Sequence, residues 1–237
     1  MGVNVLAKKK KFGKKNIKED KLVALYSKTL QYFETYKNQV YAGAAIIVIL
    51  IAAIVYFTGQ SKTKQIEATA ALSKASQQYH SSNFNAVIQG SNVPGIPSLA
   101  EVADKYSGTE AGEIARIYLA NSYFYTGDIE NALKHYKKFS GSNRLYKASS
   151  LAGMAACYEA NGEFEKAAKY FRDAANTYSN NVLNSQYLLS SAINYIKVND
   201  YKSAKSLLET LKDQYAQSQE ARDADRYLAE IEIKLNS

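Results

Sequence analysis

The sequence predicts an all-α protein: one N-terminal transmembrane helix, then an α-solenoid of three to four helix pairs closed by a C-terminal capping helix. Three observations carry this. An uncharged apolar run, QVYAGAAIIVILIAAIVYFTGQ, occupies residues 39–60. Further on, three segments repeat one pattern, with matching alanines at Ala132, Ala167 and Ala204, spaced 35 and 37 residues apart. Both prolines of the 237-residue chain fall in a single stretch, GSNVPGIPS, which marks an irregular loop.

The apolar run comes first. No charged residue lies between Lys37 and Lys62. The nineteen residues from Val40 to Thr58, at about 1.5 Å each, reach ~28 Å, close to the ~30 Å hydrocarbon core of a bilayer. Tyr41 stands at one end and Tyr56 and Phe57 at the other, where amphipathic rings favour the membrane–water interface. A buried core helix in a domain of this size would show one polar face, and this run shows none. A cleaved secretory signal has an apolar region of about 7–15 residues near the start of the chain. Here the run is longer, begins far from Met1 and is followed by no small-residue cleavage site. Gly43 is the sole glycine between Val40 and Thr58, so there is no GxxxG dimerisation face.

Charge sets the orientation. Residues 1–37 hold ten Lys and three acids, a net charge of +7, and everything after the run nets +1. A short basic tail stays cytoplasmic, whereas a long domain translocates largely regardless of charge. The chain therefore divides into a basic cytoplasmic tail with an amphipathic helix (1–37), a transmembrane helix in contact with lipid (38–60) and an extracytoplasmic repeat domain (61–237). Nucleic acid is a poorer partner for the tail than anionic lipid, because the cluster KKKKFGKK holds one aromatic, Phe12, and no surrounding fold. EDKLVALYSKTLQYFETYK places Leu22, Leu25, Tyr26, Phe33 and Tyr36 at helical spacing. It either lies along the cytoplasmic membrane surface or extends the transmembrane helix inward.

The repeats read IARIYLANSYFYTGDIENALKHYKKF, ASSLAGMAACYEANGEFEKAAKYFRDA and YLLSSAINYIKVNDYKSAKSLLETL. Each has a small residue (Ala120, Ala155, Ala192), then a tyrosine (Tyr123, Tyr158, Tyr195) and a turn (Gly127-Asp128, Gly162-Glu163, Asn199-Asp200). A large residue follows each matching alanine by one helical turn: Tyr136, Phe171, Leu208. Small residues let two antiparallel helices approach, and the large ones fill the space beside them. Each pair leaves an apolar face that the next pair covers, hence the repetition. The pattern resembles the tetratricopeptide repeat, although Arg116, Leu151 and Leu188 stand at the family's tryptophan position. KTKQIEATAALSKASQQY and SLAEVADKYSGTEAG look like a preceding pair with its connection, and Glu220 to Leu235 is a closing helix with a charged outer face.

Catalytic signatures are lacking. His80 and His135 have no spaced carboxylate or cysteine partner for a metal, and no glycine-rich phosphate loop occurs. Cys157 sits among Ala155, Ala156 and Tyr158 as a small packing residue. The expectation is a non-enzymatic binding protein with no cofactor, no metal and no small-molecule substrate.

The family resemblance implies a concave groove lined by the first helix of each pair. It assigns Ile114, Ile117, Asn121 and Phe124 to the groove from one repeat, Ala156 and Glu159 from the next, and Leu189, Ile193 and Ile196 from the third. Asn121 alone matches the residues with which some members grip a C-terminal carboxylate, so a mostly apolar groove is implied, filled by a helix, an unfolded segment or this same chain. A basic tail, one span and an exported repeat array together resemble the single-pass inner-membrane ancillary subunits of the bacterial Sec translocon. That resemblance implies a periplasmic chaperone or adaptor, with translocon subunits, a periplasmic chaperone or prolyl isomerase, or exported chains as partners. A scaffold subunit of another envelope complex is the alternative.

Overall fold

The computed structural model describes residues 14–90 and 94–235. Residues 1–13 with most of the cluster KKKKFGKK, residues 91–93 ahead of the two prolines, and residues 236–237 lie outside the described residues. The described residues form helices α1 (Lys14–His80), α2 (Phe84–Gln89), α3 (Leu99–Lys105), α4 (Glu110–Tyr125), α5 (Ile129–Lys137), α6 (Arg144–Ala160), α7 (Phe164–Thr177), α8 (Asn184–Lys197), α9 (Tyr201–Gln214) and α10 (Gln219–Leu235). The chain separates into two compact units, Met1–Gln60 and Ser61–Ser237, with α1 contributing to both.

From Lys14 onward the first unit is helical, and it carries the apolar run. Its most apolar stretch reaches a mean hydropathy of 2.7 with none of it buried, so by length and composition it can cross a membrane. The helix is interrupted once, at Tyr36, whose backbone (φ −112°, ψ 17°) leaves the α region. Ring contacts sit on and across that break: Tyr32 with Tyr36 at 4.6 Å, and Phe33 edge-on to Tyr41 at 5.9 Å.

The second unit is an α-solenoid. Its first pair is the last part of α1 with α3: Ala68 and Ala75 share a buried cluster with Leu99, Val102 and Ala103. The pairs α4–α5, α6–α7 and α8–α9 follow, each helix packing on its neighbours in the chain, and α10 closes the array. Ala132, Ala167 and Ala204 are fully buried, as close helix approach requires. Gly153 serves the same end across repeats: a Cβ there would fall 2.2 Å from the Tyr136 ring, so only glycine lets that ring seat on α6. Serine hydroxyls tie successive pairs together, Ser150 donating to the Tyr136 carbonyl at 2.8 Å and Ser191 to the Ala168 carbonyl at 2.7 Å.

Each pair turns in one way. Gly127, Gly162 and Asn199 all take positive φ, at +84°, +76° and +60°. The following N–H then bonds back across the turn at 2.9 Å in every case: Asp128 to Tyr123, Glu163 to Tyr158, Asp200 to Tyr195. This is the left-handed closure that satisfies the last carbonyls of a helix, and it sets the second helix antiparallel to the first. Asp128 and Asp200 cap the second helices by accepting from the N–H groups of Asn131 and Ser203.

Two features differ from expectation. A short helix, α2, stands between the members of the first pair, capped by Asn83. The outer face of α10 is not uniformly charged, because Ile233 and Leu235 are exposed at 70% and 60%. Both alternate with Glu232 and Lys234, which keep that end charged while leaving apolar side chains between.

Candidate functional site

The residues that the family resemblance assigns to a groove divide by what holds them. Ile117 is buried at 4% exposure and serves the core. Phe124 packs against the cluster of Tyr136, Met154 and Ala167. Ala156, Leu189 and Ile196 pack against the large cluster built from α6 to α10. These four are half-buried, each with one side in the core. Ile114 and Ile193 are also half-buried but belong to none of the three core clusters among the described residues.

The two polar members are already engaged. The Asn121 amide donates to the Tyr79 hydroxyl at 2.7 Å, and its oxygen accepts from the Tyr136 hydroxyl. Burial holds both phenols above their ordinary pKa, so both stay neutral, Tyr79 accepting from the Asn121 amide and Tyr136 donating to its oxygen. Asn121 thus joins α1, α4 and α5, and its amide is committed to the fold rather than free for a ligand carboxylate. Tyr79 also stacks on Tyr118 at 4.3 Å, so the last turn of α1 covers part of the α4 surface. Glu159 pairs with Lys197 at 2.7 Å, which links the ends of α6 and α8; the same ammonium lies 4.7 Å from the Phe164 ring.

One polar centre was not anticipated. Glu113 and Arg116 are buried at 2% and 4% exposure on α4. Glu113 accepts from the Gly108 N–H at 3.3 Å and the Ser140 N–H at 2.8 Å, tying the turn before α4 to the one after α5. Arg116 donates to the Ala103 carbonyl at 2.7 Å and lies within 3.8 Å of Asp104 and 3.7 Å of Glu113. A polar cavity of about 480 Å³ adjoins Glu113, lined also by Glu110, Ser140, Asn143 and Tyr146. The only signal in the sequence was a charged pair three residues apart on an otherwise inward-facing stretch.

The titratable candidates are quiet chemically. Cys157 is fully buried, and burial pushes its thiol up to about 11, away from the thiolate form a nucleophile needs. His135 stacks on Tyr123 at 5.4 Å, and burial, aided by the Arg116 charge, lowers its pKa to about 4. Among the described residues no group of three or more His, Cys, Asp or Glu is placed to hold a metal ion.

Comparison with known proteins gives a family. The model of the tetratricopeptide repeat-like domain matches residues 30–174, more than half of the chain, from just ahead of the apolar run to the end of α7. Two crystal structures of nearly identical TPR-like repeats from a putative kinesin light chain of Podosopora anserina, one a single-residue variant, are similar to it. Each is 14% identical with a TM-score of 0.49, covering 73% and 72% of this chain and 97% of its own. No curated protein matches this chain.

Proposed function

The chain belongs to the tetratricopeptide repeat-like domain family, and from that membership we propose that it is a membrane-anchored protein-interaction module. Residues 38–60 anchor it, the solenoid stands on the extracytoplasmic side, and the groove of first helices receives an apolar polypeptide segment. The finer role we propose is that of a translocon-associated periplasmic chaperone or adaptor handling newly exported chains.

The observation that carries this is the pair Ile114 and Ile193. Among the described residues these branched apolar side chains are half-buried and outside the three core clusters, so they offer apolar area that the core does not use. The engagement of Asn121 and Glu159 within the fold leaves the groove's free chemistry apolar. Such a surface suits an amphipathic helix or an unfolded segment, because it offers area without directional polar groups.

The test replaces Ile114 and Ile193 together by Asp in the full chain and measures capture of a permanently unfolded, apolar polypeptide. Binding should weaken roughly tenfold or more, the loss of about 1.4 kcal/mol, with thermal melting unchanged. Normal melting with unchanged capture would exclude the groove. A collapse in melting would show that these side chains are core, and the partner surface would have to lie elsewhere.

A further inference from the structure

The helical stretch ahead of the apolar run has no role in the repeat array. At about 100° per residue, Leu22, Leu25, Tyr26, Leu30 and Phe33 fall in one half of the helix circumference. Lys21, Ser27, Lys28, Gln31 and Glu34 fall in the other. Thr29 alone interrupts the apolar half, and its hydroxyl is spent on the Leu25 carbonyl at 2.8 Å. This apolar half is left open: Leu22, Leu25 and Tyr26 are exposed at 66%, 64% and 70%, Leu30 and Phe33 at 46% and 39%, and Phe33 touches the Tyr41 ring across the break.

Were this helix a straight continuation of the span, its fifteen or so residues would project ~22 Å into water with a full apolar face unsolvated by lipid. The backbone break at Tyr36 falls between the two-faced stretch and the uniformly apolar one, where a change of direction is needed. Charge favours lipid over a protein partner, since residues 1–37 carry a net +7 and phospholipid headgroups present phosphates. The apolar half includes the rings of Tyr26 and Phe33, and a tyrosine, apolar in body and polar at its tip, suits the interfacial layer.

We propose that residues 21–36 form an amphipathic helix lying on a phospholipid surface, on the side from which the apolar run enters the bilayer, given that residues 38–60 span it as proposed above. Leu22, Leu25, Tyr26, Leu30 and Phe33 sit at the boundary between headgroups and acyl chains. Lys21 and Lys28, on the opposite half, reach the headgroup phosphates from the flank. The protein is then held by a perpendicular span and a parallel helix, which fixes its rotation about the membrane normal as well as its depth.

The test uses the full chain in a Cys157→Ser background, reconstituted into vesicles of phosphatidylethanolamine and phosphatidylglycerol. An environment-sensitive fluorophore is attached through Tyr26→Cys, Gln31→Cys or Ile49→Cys. The Tyr26 label should emit to the blue and lose intensity to lipids spin-labelled near the headgroup. The Gln31 label should emit as in water and be quenched by aqueous iodide. Water-like emission at both positions overturns the proposal, and so does lipid quenching at both, which would make this stretch part of the span. Blue emission at Tyr26 that lipid quenchers cannot reach also overturns it, because a protein then covers the face. The Ile49 label separates the two levels: if lipids spin-labelled deep in the acyl chain leave it unquenched, the span itself fails and this inference falls with it.

Discussion

Arg116 occupies a position where the repeat pattern calls for a large aromatic ring, and it fills that space as a charge. Its guanidinium anchors on the Ala103 carbonyl of α3 and lies beside Glu113, whose carboxylate in turn receives two backbone N–H groups from two different turns. A buried charge survives only when partnered, so the pair acts as one unit. Replacing Arg116 by Met should destabilise the second unit by about 3–5 kcal/mol, because Glu113 is left buried and uncompensated. Adding Glu113→Gln should recover part of that loss, as read from chemical denaturation of both variants. Additive losses would mean that the two residues do not act together. The sequence showed Arg116 as a departure from the pattern but not why it is tolerated. Its anchor, Ala103, belongs to a different helix, and the Ser140 N–H that holds Glu113 comes from a turn 27 residues away.

The helix pairs were legible because their determinants are local. A glycine or asparagine after the tyrosine-bearing turn, then an acidic cap, marks each reversal, and all three adopt the same positive φ and the same backward hydrogen bond. Gly162 tests the device cleanly, since a Cβ there would meet nothing within 4 Å. Gly162→Ala should therefore cost about 1–2 kcal/mol through backbone strain alone. The more tolerant change Asn199→Gly should be neutral or slightly stabilising. Equal stability of Gly162→Ala and the parent would remove the left-handed closure as the reason for these glycines. Elements set by distant contacts were not legible. The short α2 is held against α3 and α4, and nothing in its six residues announced a helix. The proposed groove was legible as a register but not as a surface: Ile117, Asn121 and Glu159 hold positions that the family resemblance assigns to it, yet burial, two tyrosine hydroxyls and Lys197 claim them.

For the whole molecule, the contrast between its two units matters more than either alone. Among the described residues, one exposes its large apolar side chains, including Ile46, Val48 and Ile51, and the other buries most of its own in three clusters. A chain cannot present such a run to water without loss, which is the physical ground for the proposed lipid anchor at residues 38–60. In the orientation proposed above, the +7 of residues 1–37 keeps the tail in the cytoplasm, and the solenoid with its proposed groove faces the side on which exported chains would be met. Topology in the living membrane is the most direct test, because every proposed partner depends on it. A reporter active only outside the cytoplasm should be active when fused after Ser237 and silent when fused ahead of Lys8. The opposite pattern would place the solenoid in the cytoplasm and contradict both the orientation and the role proposed for the groove.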